Sequence, residues 1–215
     1  MFRIQPVKLH DCLRHGLGSG AELYVVEGDS ASKSVCRARN ADTQAVLPMQ
    51  GKPMNAIKAS EQAVERNELF RALIDSIGAG WGDQMDLAQL RYDRVILLFD
   101  PDADGIHCGA LMLMFFHRWM RPLLESGRLS VIRAPLYEVT SPKTGDTLHA
   151  FSDSHYQRLR VELDKQSIDF QGQRYRGLAS MSAATLFATC IDPQTRNIHQ
   201  LGCEDAEAAI RVFCG

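Results

Sequence analysis

Arg94-Val95-Ile96-Leu97-Leu98-Phe99 runs directly into Asp100-Pro101-Asp102-Ala103-Asp104-Gly105. Apolar residues without interruption from Val95 to Phe99 are expected of a strand covered on both faces, as in a parallel sheet flanked by helices. A second apolar run, Leu23-Tyr24-Val25-Val26, ends the same way in Glu27-Gly28-Asp29-Ser30. Open α/β sheets bind ligands beyond the carboxyl ends of their strands. Glu27, Asp100, Asp102 and Asp104 are therefore expected to converge in one crevice. Unpaired, they would repel one another strongly. A divalent cation is the simplest resolution, and it points to metal-dependent chemistry on an anionic substrate.

Outward from these two strands the pattern alternates. Residues 1–20 read as a leader segment ending in a glycine-rich turn. A strand is predicted at 22–26, then a helix capped by Ser30 and running to about 39. A short strand follows at 44–48 and a loop at 51–55, where Gly51 and Pro53 interrupt regular structure. Helix returns over 56–77 in two pieces. Beyond the strand at 94–99 the spacing predicts a deeply buried helix over 104–125, a strand at 129–134 and a hairpin of 136–140 with 147–151. A charged helix at 152–164, a basic segment at 173–177 and helices at 182–190 and 204–213 complete the chain. Strands alternating with helices up to 134 predict an α/β fold with a mostly parallel sheet flanked by helices. The core spans 21–135, and 136–215 forms a small C-terminal α+β tail.

The bulk composition is that of an ordinary globular protein of 215 residues, 45% hydrophobic and 23% charged. A formal net charge of −2 gives no global attraction for nucleic acid, so any basic surface is local. Six cysteines without a C-x-x-C pair argue against structural zinc and for buried thiols in a reducing compartment. The amino-terminal residues lack a signal-peptide core, and the apolar run at 110–116 is far shorter than the roughly 18 residues that span a bilayer. A cytoplasmic location without membrane contact is expected.

Two alternative readings of the acidic stretches fail on named positions. D-x-D-x-D-G opens a calcium loop, but Leu111 stands where a bidentate glutamate is needed, and the motif follows a strand rather than a helix. Lys33-Ser34 suggests a phosphate loop, but Glu27 and Ser32 occupy positions that need glycine. What remains is an all-oxygen set suited to Mg2+ shared with a phosphate, and a Glu27 suited to general acid/base work. Asp104 reads equally well as a solvated residue at a strand–helix junction.

Three blocks carry a family resemblance: the segment from Glu22 to Ala31, the loop Leu47-Pro48-Met49-Gln50-Gly51-Lys52-Pro53-Met54-Asn55, and Asp100 to His107. With Lys8 to Cys12, Pro135-Leu136-Tyr137, Arg174-Tyr175-Arg176-Gly177-Leu178 and Ile191-Asp192-Pro193, they are similar to the Toprim module of type IIA DNA topoisomerases. The similarity is strongest to the B subunits of DNA gyrase and topoisomerase IV. The resemblance implies a Rossmann-like Toprim domain over 21–135 followed by a gyrase-B-like tail. It implies that Glu27 is the general acid/base and a metal ligand, that Asp100 and Asp102 hold Mg2+, and that Asp104 supports them. Lys52, His107, Arg174 and Arg176 fall where the family places residues near DNA or the metal. The implied partners are DNA and a gyrase-A-type subunit carrying the nucleophilic tyrosine, with a separate ATPase chain as a further candidate. The chain shows no ATP site, ATPase domain or transducer domain of the family's kind.

The chain departs from the family pattern at Ser32-Lys33, where two glycines are usual, at Gln50, where a basic residue is usual, and at Ala179-Ser180 in place of Gly-Glu. These departures keep two alternatives open: a truncated paralogue that binds DNA or the A subunit without cutting, and a Toprim nuclease using metal-activated water.

Overall fold

The computed structural model describes residues 8–214; the first seven residues of the expected leader segment lie outside them. The elements begin with β1 (Glu22–Glu27), α1 (Gly28–Ala38), β2 (Gln44–Met49), α2 (Glu61–Arg66), α3 (Glu68–Ile77), β3 (Arg94–Leu98), α4 (Ala103–Trp119), α5 (Arg121–Glu125) and β4 (Leu129–Ile132). They continue with β5 (Tyr137–Thr140), β6 (Thr147–Ala150), α6 (Asp153–Lys165), β7 (Gln171–Arg174), α7 (Ala183–Leu186), β8 (Ile198–Gln200) and α8 (Cys203–Cys214).

Five strands form one sheet in the order β2-β1-β3-β4-β8, parallel except for the antiparallel edge strand β8. Both faces are buried, which is why β1 and β3 read as unbroken apolar runs. Alternate residues serve opposite faces. Leu23, Val25, Leu47 and Leu97 pack with Phe70, Leu73 and Ile77 of α3 and with Met112, Phe115 and Phe116 of α4. Phe70 and Phe115 stack with ring centroids 4.2 Å apart. Tyr24, Val26, Ile96 and Leu98 pack instead with Val35 of α1 and with Leu178, Leu186 and Ile191 from the C-terminal region. The fold is thus the expected α/β architecture with helices on both sides of a mostly parallel sheet.

Several boundaries differ from expectation. Helix α1 starts at Gly28, immediately after β1, so Ser30 already lies inside its first turn and Glu27 occupies the cap position. The helix expected over 104–125 breaks at Met120, whose φ of −140° leaves the helical region. Pro122 in the first turn of α5 accounts for the break, because its ring crowds the preceding turn and it offers no N–H. Residues 187–191 continue α7 as a π-helical turn. Strands β7 and β8 are additions to the expected elements. β7 pairs antiparallel with β5, making a three-stranded sheet β6-β5-β7 beside the main one.

A buried ion pair fastens the C-terminal half to the first strand. Arg196, almost wholly buried, donates to both carboxylate oxygens of Glu22 at 2.6 and 2.5 Å and to the Tyr24 hydroxyl at 2.6 Å. Gln44 of β2 donates to the same Glu22 at 3.2 Å. Removing one partner leaves the other charge buried and unpaired, a loss of about 3–5 kcal/mol, whereas replacing both with apolar residues is often close to neutral. Arg196→Ala is therefore expected to destabilise the fold by an amount in that range in urea unfolding, with Glu22→Met/Arg196→Met recovering most of it.

Candidate metal centre

The register of β1 and β3 sets the site. Val26 pairs with Leu98, so Glu27 leaves β1 beside the chain that continues through Phe99 to Asp100. Asp100 is half-buried, and its Oδ1 accepts from the Leu178 N–H at 2.8 Å. Asp102, in extended backbone, caps α4: its Oδ1 accepts from the Gly105 N–H at 2.8 Å. Asp104 sits in the first turn of α4, exposed, 3.3 Å from Lys52 Nζ. The Glu27 carboxylate has no hydrogen-bond partner among the described residues, although it stands at the cap position of α1.

The four carboxylates act on one another through their charges. Burial raises the Glu27 pKa, and the charges of Asp100, Asp102 and Asp104 raise it further against the pull of Lys52. Burial also raises Asp100, with Asp102 adding to it, against the stabilising Leu178 N–H. Cys108, buried beneath the cluster, is pushed up to about 11 by burial and by the Glu27 charge, so its thiol stays protonated and inert. No three of these carboxylates bring oxygens within 4.8 Å of one another among the described residues. The set is therefore open. Hard oxygen donors, spare oxygens on Asp100 and Asp102, and an uncommitted Glu27 fit a cation such as Mg2+, which keeps several waters and is bound through a few carboxylates together with substrate phosphate.

The segment Arg176-Gly177-Leu178 holds Asp100 in place. A Cβ on Gly177 would come within 2.5 Å of Asp100 Oδ2, so the close approach requires glycine. Ser180, one of the departures from the family pattern, fastens this turn: its hydroxyl donates to the Gly177 carbonyl at 2.7 Å and accepts from the Arg176 N–H at 3.0 Å. Arg174 and Arg176 are the expected residues of this segment, whereas the parts that touch Asp100 are Gly177 and the Leu178 N–H, whose only signal in the sequence is the glycine of the motif. The structure brings Lys52 to the acidic cluster and Arg176 to the turn that holds Asp100. Arg174, on β7, lies over the Tyr137 ring at 5.9 Å. His107 stacks on Phe213 of α8 with centroids 5.1 Å apart, so one face of its ring is covered. Gln50 turns to Asp29 at 2.7 Å rather than to the carboxylates. Lys33 is exposed on α1.

One group of three donors is close-set among the described residues: Asp11, Cys12 and His15. It lies at the opposite end of β3, where Asp11 accepts from the Tyr92 hydroxyl at 2.7 Å and from Arg91. The Arg91 guanidinium already supplies the positive charge, so the cluster reads as structural. Burial pushes Asp11 up, but hydrogen bonds from His15, Tyr92 and the Cys12 N–H, with the Arg91 charge, outweigh it and hold the carboxyl below its ordinary value. A depressed carboxylate stabilises the fold above its unfolded pKa, and that stability is lost as pH falls through the folded value. Asp11→Asn is expected to flatten the acid limb of a stability–pH curve below the ordinary aspartate value of 3.8, checked by thermal melts from pH 6 downward.

Groups that orient metal ligands typically change affinity about 10–100-fold when altered. Gly177→Ala, which must displace the Asp100 carboxylate, is expected to weaken Mn2+ binding in calorimetry by that factor while leaving the far-ultraviolet spectrum unchanged.

Comparison with known proteins accords with this geometry. Residues 22–134 match the family model of the Toprim domain. The chain is 39% identical over 208 residues to the DNA gyrase B subunit of Thermotoga maritima, an alignment covering 97% of this chain and 32% of the relative. It is 38% identical over 208 residues to the DNA gyrase B subunit of Archaeoglobus fulgidus, with the same coverage. The DNA topoisomerase 4 B subunit of Enterococcus faecalis is 38% identical over 192 residues, 88% of this chain and 28% of the relative. The chain spans about a third of the length of these curated relatives. With the doubly covered parallel sheet and the acidic ends of β1 and β3, these matches establish that the chain belongs to the Toprim domain family.

Proposed function

We propose that this chain is the Mg2+-dependent Toprim component of a type IIA DNA topoisomerase. In this reading it supplies metal ligands and a general acid/base for DNA cleavage and religation by a tyrosine on a gyrase-A-type partner. The observation that carries the reading is the convergence of Glu27, Asp100, Asp102 and Asp104, where burial and mutual repulsion raise Glu27 and Asp100. Asp100 and Asp102, supported by Asp104, would hold Mg2+ together with Glu27. When bound, the ion would stabilise the attacking and leaving oxygens of the phosphoryl transfer.

The chain's own groups do the rest. Glu27, its pKa raised and its carboxylate uncommitted, is suited to pass a proton to and from the 3′-hydroxyl. Lys52 beside Asp104 and Arg176 in the turn that holds Asp100 would contact the phosphate backbone, giving affinity without sequence preference. Lys52 is engaged by Asp104, so nucleic acid binding must exchange that exposed pair for a phosphate.

A second reading, a paralogue that binds DNA or the A subunit without cutting, is supported by Gln50. This residue stands at a basic position of the family pattern and is occupied with Asp29. Detergent trapping with an A-type subunit, Mg2+ and supercoiled DNA separates the two. Protein-linked cleaved DNA is expected from this chain, and Glu27→Gln should reduce it by about 10²–10⁴-fold, the usual contribution of a positioned acid/base. DNA retention without cleavage, beside a competent B subunit run in parallel, would favour the second reading.

A further inference from the structure

Strand β7 ends in Arg174, and a second arginine, Arg160 of α6, belongs to the same chain of contacts. Across the face of the small sheet, four flat groups lie in sequence. The Arg174 guanidinium is 5.9 Å from the Tyr137 ring centroid, Tyr137 and Tyr156 stack at 4.1 Å and 3°, and the Arg160 guanidinium lies 5.8 Å from the Tyr156 ring. Tyr137 belongs to β5, paired directly with Arg174, while Tyr156 and Arg160 stand one turn apart on α6.

This stack is built rather than incidental. A Cβ on Gly172 of β7 would come within 2.1 Å of the Tyr156 hydroxyl, so the strand is pared back to admit that ring. The Tyr137 hydroxyl donates to Asp153, in the first turn of α6, at 2.5 Å. Neither the Arg160 nor the Arg174 side chain makes a hydrogen bond or ion pair with the described residues. Each guanidinium lies within cation–π range of its ring and keeps its N–H donors free of partners among the described residues, and a guanidinium's planar fork matches phosphate.

The stack also has a direction. Tyr175 is buried between exposed Arg174 and Arg176, and the next two residues rest on Asp100. With a rise of about 3.3 Å per residue, Arg174 stands roughly 10 Å along the chain from the glycine at the metal centre. Arg176 and Arg174 thus follow one another along the chain away from Asp100, and Arg160 lies beyond Arg174 across the Tyr137–Tyr156 pair.

We propose that the Arg174–Tyr137–Tyr156–Arg160 stack is a phosphate-contact patch that carries bound duplex DNA away from the carboxylate centre, with Arg160 as its distal contact. The proposal rests on the DNA-binding reading above. Its test is the salt dependence of duplex binding by the whole chain, followed by fluorescence anisotropy between about 50 and 200 mM salt, where each neutralised phosphate contributes about 0.9 to the slope of log affinity against log salt. Arg160→Gln is expected to weaken binding several-fold at the lower salt and to make the slope shallower by about one. Arg158→Gln, an unstacked neighbour on the same helix, should do neither. Arg160→Lys should restore the slope but only part of the affinity. Unchanged affinity and slope for Arg160→Gln, with both reduced for Arg176→Gln, would overturn the patch and leave the DNA reading standing. Absence of salt-dependent duplex binding by the unaltered chain would overturn both.

Discussion

Parallel pairing of β1 with β3 forces like charges together. Each strand is buried on both faces, so neither can shift register without moving its apolar side chains to the wrong face. The pairing of Val26 with Leu98 then leaves Glu27 and Asp100 emerging side by side, and the turn after Asp100 adds Asp102 and Asp104. The carboxylates cannot separate to relieve their repulsion, because the strands that carry them are the centre of the core. A core that sets charges against one another in this way is a common route to a functional site, since fixed geometry shifts the protonation of its groups.

The C-terminal region completes this arrangement. Its residues cover one face of the sheet, its edge strand β8 pairs with β4, and Arg196 neutralises Glu22 at the start of the strand that ends in Glu27. At the other end, Gly177 and Leu178 hold Asp100. The two ends of the sheet are handled by opposite means. Glu22 and Asp11 at the amino-terminal ends of the strands have arginine partners, while at the carboxyl ends Glu27, Asp100 and Asp102 have no ion-pair partner among the described residues and Asp104 has only the exposed Lys52. Among the described residues no helix is long and apolar enough to cross a membrane.

The parts of this arrangement that are legible in the sequence are those with local signals. The apolar runs of β1 and β3, the carboxylates that end them, and the hairpin of β5 and β6 can be read from contiguous residues. Strand β7 (Gln171–Arg174) cannot: all four residues are exposed, so no apolar alternation marks it. Strand β8 is three residues on a polar edge. The bonds from Arg196 to Glu22 and from Leu178 to Asp100 join residues 174 and 78 positions apart, and nothing local announces either. Ser30 reads as a cap because serine often caps helices, but the turn into α1 comes directly at the strand end, before Ser30 is reached. The acidic residues are visible in the sequence, but what holds them is not.

The repulsion at the strand ends is tested most directly by the thermal stability of the Asp102→Asn variant with and without Mg2+. Asparagine caps a helix about as well as aspartate, so the α4 cap survives while one charge is removed. Mutual repulsion of the carboxylates predicts that the variant melts higher than the unaltered chain without metal, because Glu27 and Asp100 are relieved, and gains less on adding Mg2+. A variant that melts lower without metal and responds to Mg2+ as before would contradict it.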